Sequence, residues 1–186
     1  MIDIVKTELP GVLILEPRVF GDERGYFFES FNEKELREKT GLDVRFVQDN
    51  ESKSRYGVLR GLHFQRPPFA QSKLLSVVQG KVLDVAVDLR RGSATYGKYL
   101  TCELSAENHR RLFLPKGMAH GYVVLSEEAV FQYKCDEFYH PEAEGGIAWD
   151  DEEIGIPWPV SADEVVLSAR DRRHPRLKEF ESPFEI

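Results

Sequence analysis

Lys73 opens a strand-like run, Lys73–Val77, in which period-two alternation groups it with Leu75 and Val77. Lysine is rarely buried alone, so this one either reaches solvent along its own stem or carries an ammonium into an apolar interior. Tyr133 shares a face with Phe131 and Cys135, while Gln132 and Lys134 point the other way. That setting also suits an ordinary core tyrosine whose hydroxyl has one partner. Asp171 lies among Arg170, Arg172 and Arg173. It is either one charge in a solvated cluster or a carboxylate brought over a cavity to orient an imidazole. Two of the five histidines stand in patterned surroundings: Gly57, five residues, His63, then Gln65; and Pro115-x-Gly117-x-x-His120. On a regular strand Arg60 and His63 face opposite ways, but a bulge at Gly61 brings both to one face.

These side chains need strands to aim them. Short apolar runs punctuated by Gly, Pro and Asp recur at Val12–Leu15, Tyr26–Phe31, Val44–Val47, Val58–Phe64, Leu74–Val78, Val82–Leu89, Leu112–Leu114, Tyr122–Leu125 and Ala129–Cys135, the spacing of a sandwich or barrel. In KVLDVAVDL, Leu83, Val85, Val87 and Leu89 form an apolar face, expected to pack, and Val82, Asp84, Ala86 and Asp88 a mixed one. Asn32–Lys39 reads as a polar surface helix capped by Asn32. After Trp158 the alternation stops, which predicts a short helix and turns laid across the barrel within a single domain spanning 1–186.

The 186 residues suffice for a core without covalent staples. A net charge of −7 argues against a nucleic-acid surface, and no apolar run reaches membrane-span length. The N-terminal stretch lacks a basic, then apolar, leader pattern, and Cys102 and Cys135 lack CxxC spacing; a cytoplasmic chain with buried thiols is expected.

The two histidine frames resemble the paired motifs of cupin barrels, in which the first motif holds a divalent metal with two imidazoles and a carboxylate and the second motif adds a further imidazole. Here Gln65 replaces one imidazole, and Lys73, separated from Gly80 by six residues, replaces the carboxylate. An ammonium has no lone pair to give, and two remaining imidazoles fall short of a stable site, so no metal is expected. Longer blocks, DERGYFFESF (22–31), FVQDNESKSRYGVLRGLHFQ (46–65), QSKLLSVVQGKVLDVAVDLRRGSATYGKY (71–99), LFLPKGMAHGYVVLSE (112–127) and FQYKCDEFYHPEAEGGIAWDD (131–151), resemble the dTDP-4-dehydrorhamnose 3,5-epimerase family.

The resemblance implies a mainly β fold, a cupin double-stranded β-helix or jelly-roll barrel with a few short surface helices. It implies a cofactor-independent homodimer acting on a dTDP-4-keto-6-deoxy sugar in dTDP-L-rhamnose biosynthesis. By motif position His63 is the base, Asp171 its partner, Tyr133 the acid, and Lys73 faces the sugar. Arg24, Glu29, Gln48, Asn50, Arg60, His120, Glu144 and Arg170 fall on substrate-binding positions, and Phe20, Phe27 and Tyr139 are candidates to stack on thymine. The types suit the chemistry. A ketone α-proton is less acidic than imidazolium by about ten pK units, or about 14 kcal/mol, so a lone histidine is not enough. An enzyme of the same family inverting C3 or C5 alone is the alternative within the class, and a sugar-binding cupin module the alternative outside it.

Overall fold

The alternating runs pair into two antiparallel sheets that face one another. The computed structural model describes residues 1–186. In chain order the elements are β1 (Ile2–Lys6), β2 (Leu13–Pro17), β3 (Phe20–Asp22), β4 (Gly25–Phe27), α1 (Glu33–Thr40), β5 (Gln48–Arg55), β6 (Leu59–Gln65), β7 (Lys73–Gln79) and β8 (Lys81–Asp88). There follow β9 (Arg90–Arg91), β10 (Tyr99–Ser105), β11 (Arg111–Leu114), β12 (Met118–Val124), β13 (Glu128–Cys135), β14 (Glu144–Gly146) and β15 (Phe184–Glu185). One sheet runs β1-β2-β11-β7-β13-β5 and the other β10-β8-β12-β6-β14. β3 and β4 form a separate hairpin, and β15 pairs with β9 in parallel.

Between the sheets lies the largest apolar cluster. Leu75 and Val77 of β7, Leu112 and Leu114 of β11 and Phe131 of β13 meet Val82 and Ala86 of β8, Leu104 of β10 and Tyr122 and Val124 of β12. The mixed face of β8 is therefore the inner one. The apolar face packs as well: Val85, Val87 and Leu89 lie under Ile147, Ile154, Leu177 and Phe184 of the C-terminal segment. The expectation that only the uniformly apolar face would be covered is corrected. Asp84 and Asp88 have no exposed surface and are matched by specific partners, His120 and Arg90. The tail is thus a lid of short 3₁₀ turns, Asp171–Arg173 and Leu177–Glu179, over the outer face of the five-stranded sheet.

α1 forms where the sequence predicts it. The Asn32 side chain accepts from the Glu35 N–H at 3.0 Å, and Gly41 closes the helix in a left-handed conformation. Its buried residue, Leu36, packs on Leu13, Leu15, Leu74 and Phe113 on the outer face of the six-stranded sheet.

Two strand expectations fail. Val44–Val47 is not a strand; pairing starts at Gln48, and β5 is an edge strand of sequence QDNESKSR with no apolar alternation. Tyr26–Phe31 yields only the short β4. No helix is long and apolar enough to cross a membrane. Both cysteines are buried and free.

Candidate active site

β6 supplies the first group. β12 pairs with it at His120↔His63 and again at Tyr122↔Arg60, so three steps along β6 match two along β12. The extra residue is the bulge anticipated at Gly61, whose φ of +134° is disallowed for residues with side chains. A Cβ there would lie 2.5 Å from the Gly121 Cα. The bulge turns Arg60 and His63 toward one cavity of about 410 Å³ at the open end of the barrel.

His63 Nε2 lies 2.5 Å from Asp171 Oδ1. The 3₁₀ turn at Asp171–Arg173 carries that carboxylate over the sheet, so Asp171 backs His63 from behind and does not itself line the cavity. Burial alone would push the Asp171 carboxyl up, but the neighbouring imidazoles of His174 and His63 outweigh it and hold it well below the usual carboxylate range. Burial is the largest influence on His63 and pushes its pKa below 6.5, with Asp171 pulling back and Lys73 and His174 adding to the depression. At neutral pH the pair is an imidazole beside a carboxylate.

β7 and β13 supply the opposing groups. Lys73 shares the inner face with Leu75 and Val77, as its alternation predicts, and burial lowers its ammonium pKa while Asp84 and Glu144 oppose the shift. Its Nζ sits 5.9 Å from the centre of the Tyr133 ring. Tyr133 packs against Phe131, and burial pushes its phenol to about 12. It stays protonated across the physiological range.

Deeper in the barrel, His120 Nε2 lies 2.9 Å from Asp84 Oδ2. Burial raises the Asp84 pKa, against the pull of His120 and Lys73, and its Oδ1 has no hydrogen-bond partner. At the rim, Gln48 donates to Asn50 at 3.0 Å and accepts from the Tyr139 N–H at 2.9 Å. The Tyr139 hydroxyl and Arg170 both donate to Glu144 Oε2. Arg60 Nε donates to Ser54 Oγ at 3.1 Å.

The cavity thus gathers Gln48, Asn50, Arg60, His63, Lys73, His120, Tyr133, Tyr139, Glu144 and Arg170. It does not gather Phe20, Arg24, Phe27 or Glu29. Phe20, Arg24 and Phe27 line a separate shallow hollow on the β3–β4 hairpin, where Phe27 is 70% exposed, and Glu29 accepts from the side chain of Asn32 beside α1.

Other residues join the site without having been singled out from the sequence. Ser52 and Tyr122 line the wall and share a hydrogen bond of 2.9 Å. His174 comes 3.5 Å from Asp171 Oδ1 and meets His63 edge to face. Only the charge-dense tail run hinted at His174. Gln65, standing where a metal cupin has an imidazole, instead donates to the carbonyls of Phe69 and Phe138 and accepts from the His140 N–H, tying two loops together.

A barrel whose mouth holds a histidine–carboxylate pair, a buried ammonium and a protonated phenol is equipped for proton transfer to and from a polar ligand. The profile of the dTDP-4-dehydrorhamnose 3,5-epimerase family matches residues 6–179, and the chain belongs to that family. It is 54% identical over 176 residues to the dTDP-4-dehydrorhamnose 3,5-epimerase of Methanothermobacter thermautotrophicus, covering 94% of each chain. Among solved structures, the same enzyme from Elizabethkingia anophelis superposes with a TM-score of 0.92 at 53% identity, covering 96% of this chain and 97% of that one. The dTDP-6-deoxy-D-glucose-3,5-epimerase of Legionella pneumophila, in complex with dTDP-4-keto-L-rhamnose, superposes at 0.93 with 46% identity, covering 97% and 95%. The mainly β, cupin-type fold agrees with these neighbours.

Proposed function

We propose that this chain inverts C3 and C5 of dTDP-4-dehydro-6-deoxy-D-glucose to give dTDP-4-dehydro-L-rhamnose for dTDP-L-rhamnose biosynthesis, acting as a homodimer without a cofactor. The observation that carries the reading is the convergence of His63, backed by Asp171, with Lys73 and Tyr133 on one cavity.

The C4 ketone acidifies the hydrogens on both of its neighbours. His63, with Nε2 committed to Asp171, takes the C3 proton through its other ring nitrogen, and the C–H electron pair moves onto the ketone oxygen. The Lys73 ammonium makes no hydrogen bond within the chain, so its donors are available to that oxygen, a contribution of about 3–4 kcal/mol in a water-poor site. Asp171 holds the imidazole in one tautomer and stabilises the imidazolium. Tyr133 then returns a proton to the opposite face of the carbon, is reprotonated from solvent, and His63 releases its own proton. The same cycle at C5 completes the second inversion.

Arg60 and Arg170 suit the diphosphate as guanidinium forks, and Tyr139 offers a ring at the rim. Arg24, Glu29, Phe20 and Phe27 reach substrate in this reading from the partner subunit, whose β3–β4 hairpin closes the mouth. The support is the hairpin's exposure: Phe20, Tyr26 and Phe27 are 50%, 64% and 70% exposed, far more than a stable surface needs from aromatics.

NMR of dTDP-4-keto-6-deoxyglucose in D₂O with this protein tests the reading. Deuterium at both C3 and C5, with the L-lyxo product, is expected. Uptake at one carbon alone makes it a mono-epimerase, and no uptake makes it a sugar-binding module.

A further inference from the structure

We propose that His63, Asp171 and His174 form a zinc site at the back wall of the mouth, and that a Zn²⁺ ion bound there silences the enzyme. The second half rests on the reading of His63 as the base. The ligand atoms of the three side chains all lie within 4.8 Å of one another. His63 Nε2 is 2.5 Å and His174 Nε2 3.5 Å from the same oxygen, Asp171 Oδ1. Tetrahedral zinc with bonds of about 2.0–2.1 Å needs its ligand atoms about 3.3 Å apart, a separation these two distances bracket. His174 Nε2 is buried and makes no hydrogen bond; the atom it faces is Asp171 Oδ1, itself one of the three ligands. The ring is seated there because residue 146 is glycine: a Cβ on Gly146 would lie 2.6 Å from His174 Cε1 and Nε2.

Two imidazoles and a carboxylate are a zinc donor set, whereas Mg²⁺ and Ca²⁺ call for oxygen ligands. The three protein ligands leave the fourth tetrahedral position for a water. Binding at Nε2 moves the His63 proton to Nδ1; the imidazole stays neutral, and the nitrogen that would take the substrate proton is then occupied. His63 is then pinned to the metal and Asp171 no longer backs it.

Equilibrium dialysis of the wild-type protein against Zn²⁺ or Mg²⁺, with deuterium exchange at C3 and C5 measured in parallel, tests this. We expect about one zinc retained per chain and exchange slowed about tenfold or more, reversed by chelator, with no effect of Mg²⁺. His174→Gln should raise the half-inhibiting zinc concentration about tenfold or more, each variant being compared with its own zinc-free rate, while His109→Gln should not move it. No zinc retained by the wild type, or equal sensitivity in His174→Gln, overturns the site and leaves the base assignment standing. Zinc held through His174 without loss of exchange overturns the silencing and the reading of His63 as base together.

Discussion

His63 and Lys73 are both perturbed by burial, and the two perturbations have different consequences. His63 titrates below its ordinary 6.5, so the acid limb of kcat/KM should have its midpoint below pH 6.5. As pH falls, the unfolded chain takes up this proton before the folded one, so the His63 contribution to stability is full above 6.5 and is lost as pH drops through the folded value. Asp171→Asn removes the anion that opposes the shift; its acid limb should move lower still while kcat falls about 10³- to 10⁴-fold. An unchanged kcat would remove Asp171 from the mechanism. Lys73 is different because it pairs with nothing and is pushed toward neutrality by desolvation. Lys73→Met should cost about 10²–10³ in kcat yet leave the protein about 1 kcal/mol or more stabler, since a desolvated ammonium gives way to an apolar stem. A melting temperature several degrees below wild type would mean the ammonium holds the barrel together. Tyr133→Phe should allow exchange at C3 or C5 to outlast full double inversion; undiminished L-lyxo product would exclude Tyr133 as the acid.

β6 and β5 mark the limits of reading elements from sequence. The bulge was legible because Gly61 interrupts a strand between two candidate site residues, and the structure places Arg60 and His63 on one cavity through it. Gly61→Ala should cost about 1–3 kcal/mol in denaturant melts, from its left-handed backbone and the Gly121 contact, and should lower kcat/KM by more than its destabilisation explains. Normal kinetics would show that the bulge does not set the aim of His63. β5 was not legible, and its reason is functional. Its inward positions Gln48, Asn50 and Ser52 line the cavity, so the alternation is polar against polar and carries no hydrophobic signal. The inner face of β8 misled for a related reason: Asp84 and Asp88 look solvent-facing by type, but their partners, His120 and Arg90, are distant or turned back in the chain. His174 was invisible because only the tail's path over the five-stranded sheet brings it to Asp171.

At the scale of the molecule, one chain gathers the proposed proton-transfer groups but keeps Arg24 and the hairpin aromatics away from them. If the hairpin serves the neighbouring subunit, Arg24→Ala and His63→Ala chains, each impaired alone, should regain activity when refolded together. The mixed dimer then has one mouth with both residues intact. Recovery no greater than the sum of the two variants would return Arg24 to its own chain's business. The two-sheet architecture also bears on stereochemistry. His63 belongs to the five-stranded sheet, and Lys73 and Tyr133 to adjacent strands of the six-stranded one. In the proposed mechanism a sugar ring lies between them with one face turned to each sheet, and the handedness of the product then follows from which layer each strand joins. Sliding one sheet against the other by a fraction of a residue would withdraw proton return at one carbon and spare the other. Descendants with a different product could arise with every proton-transfer residue unchanged.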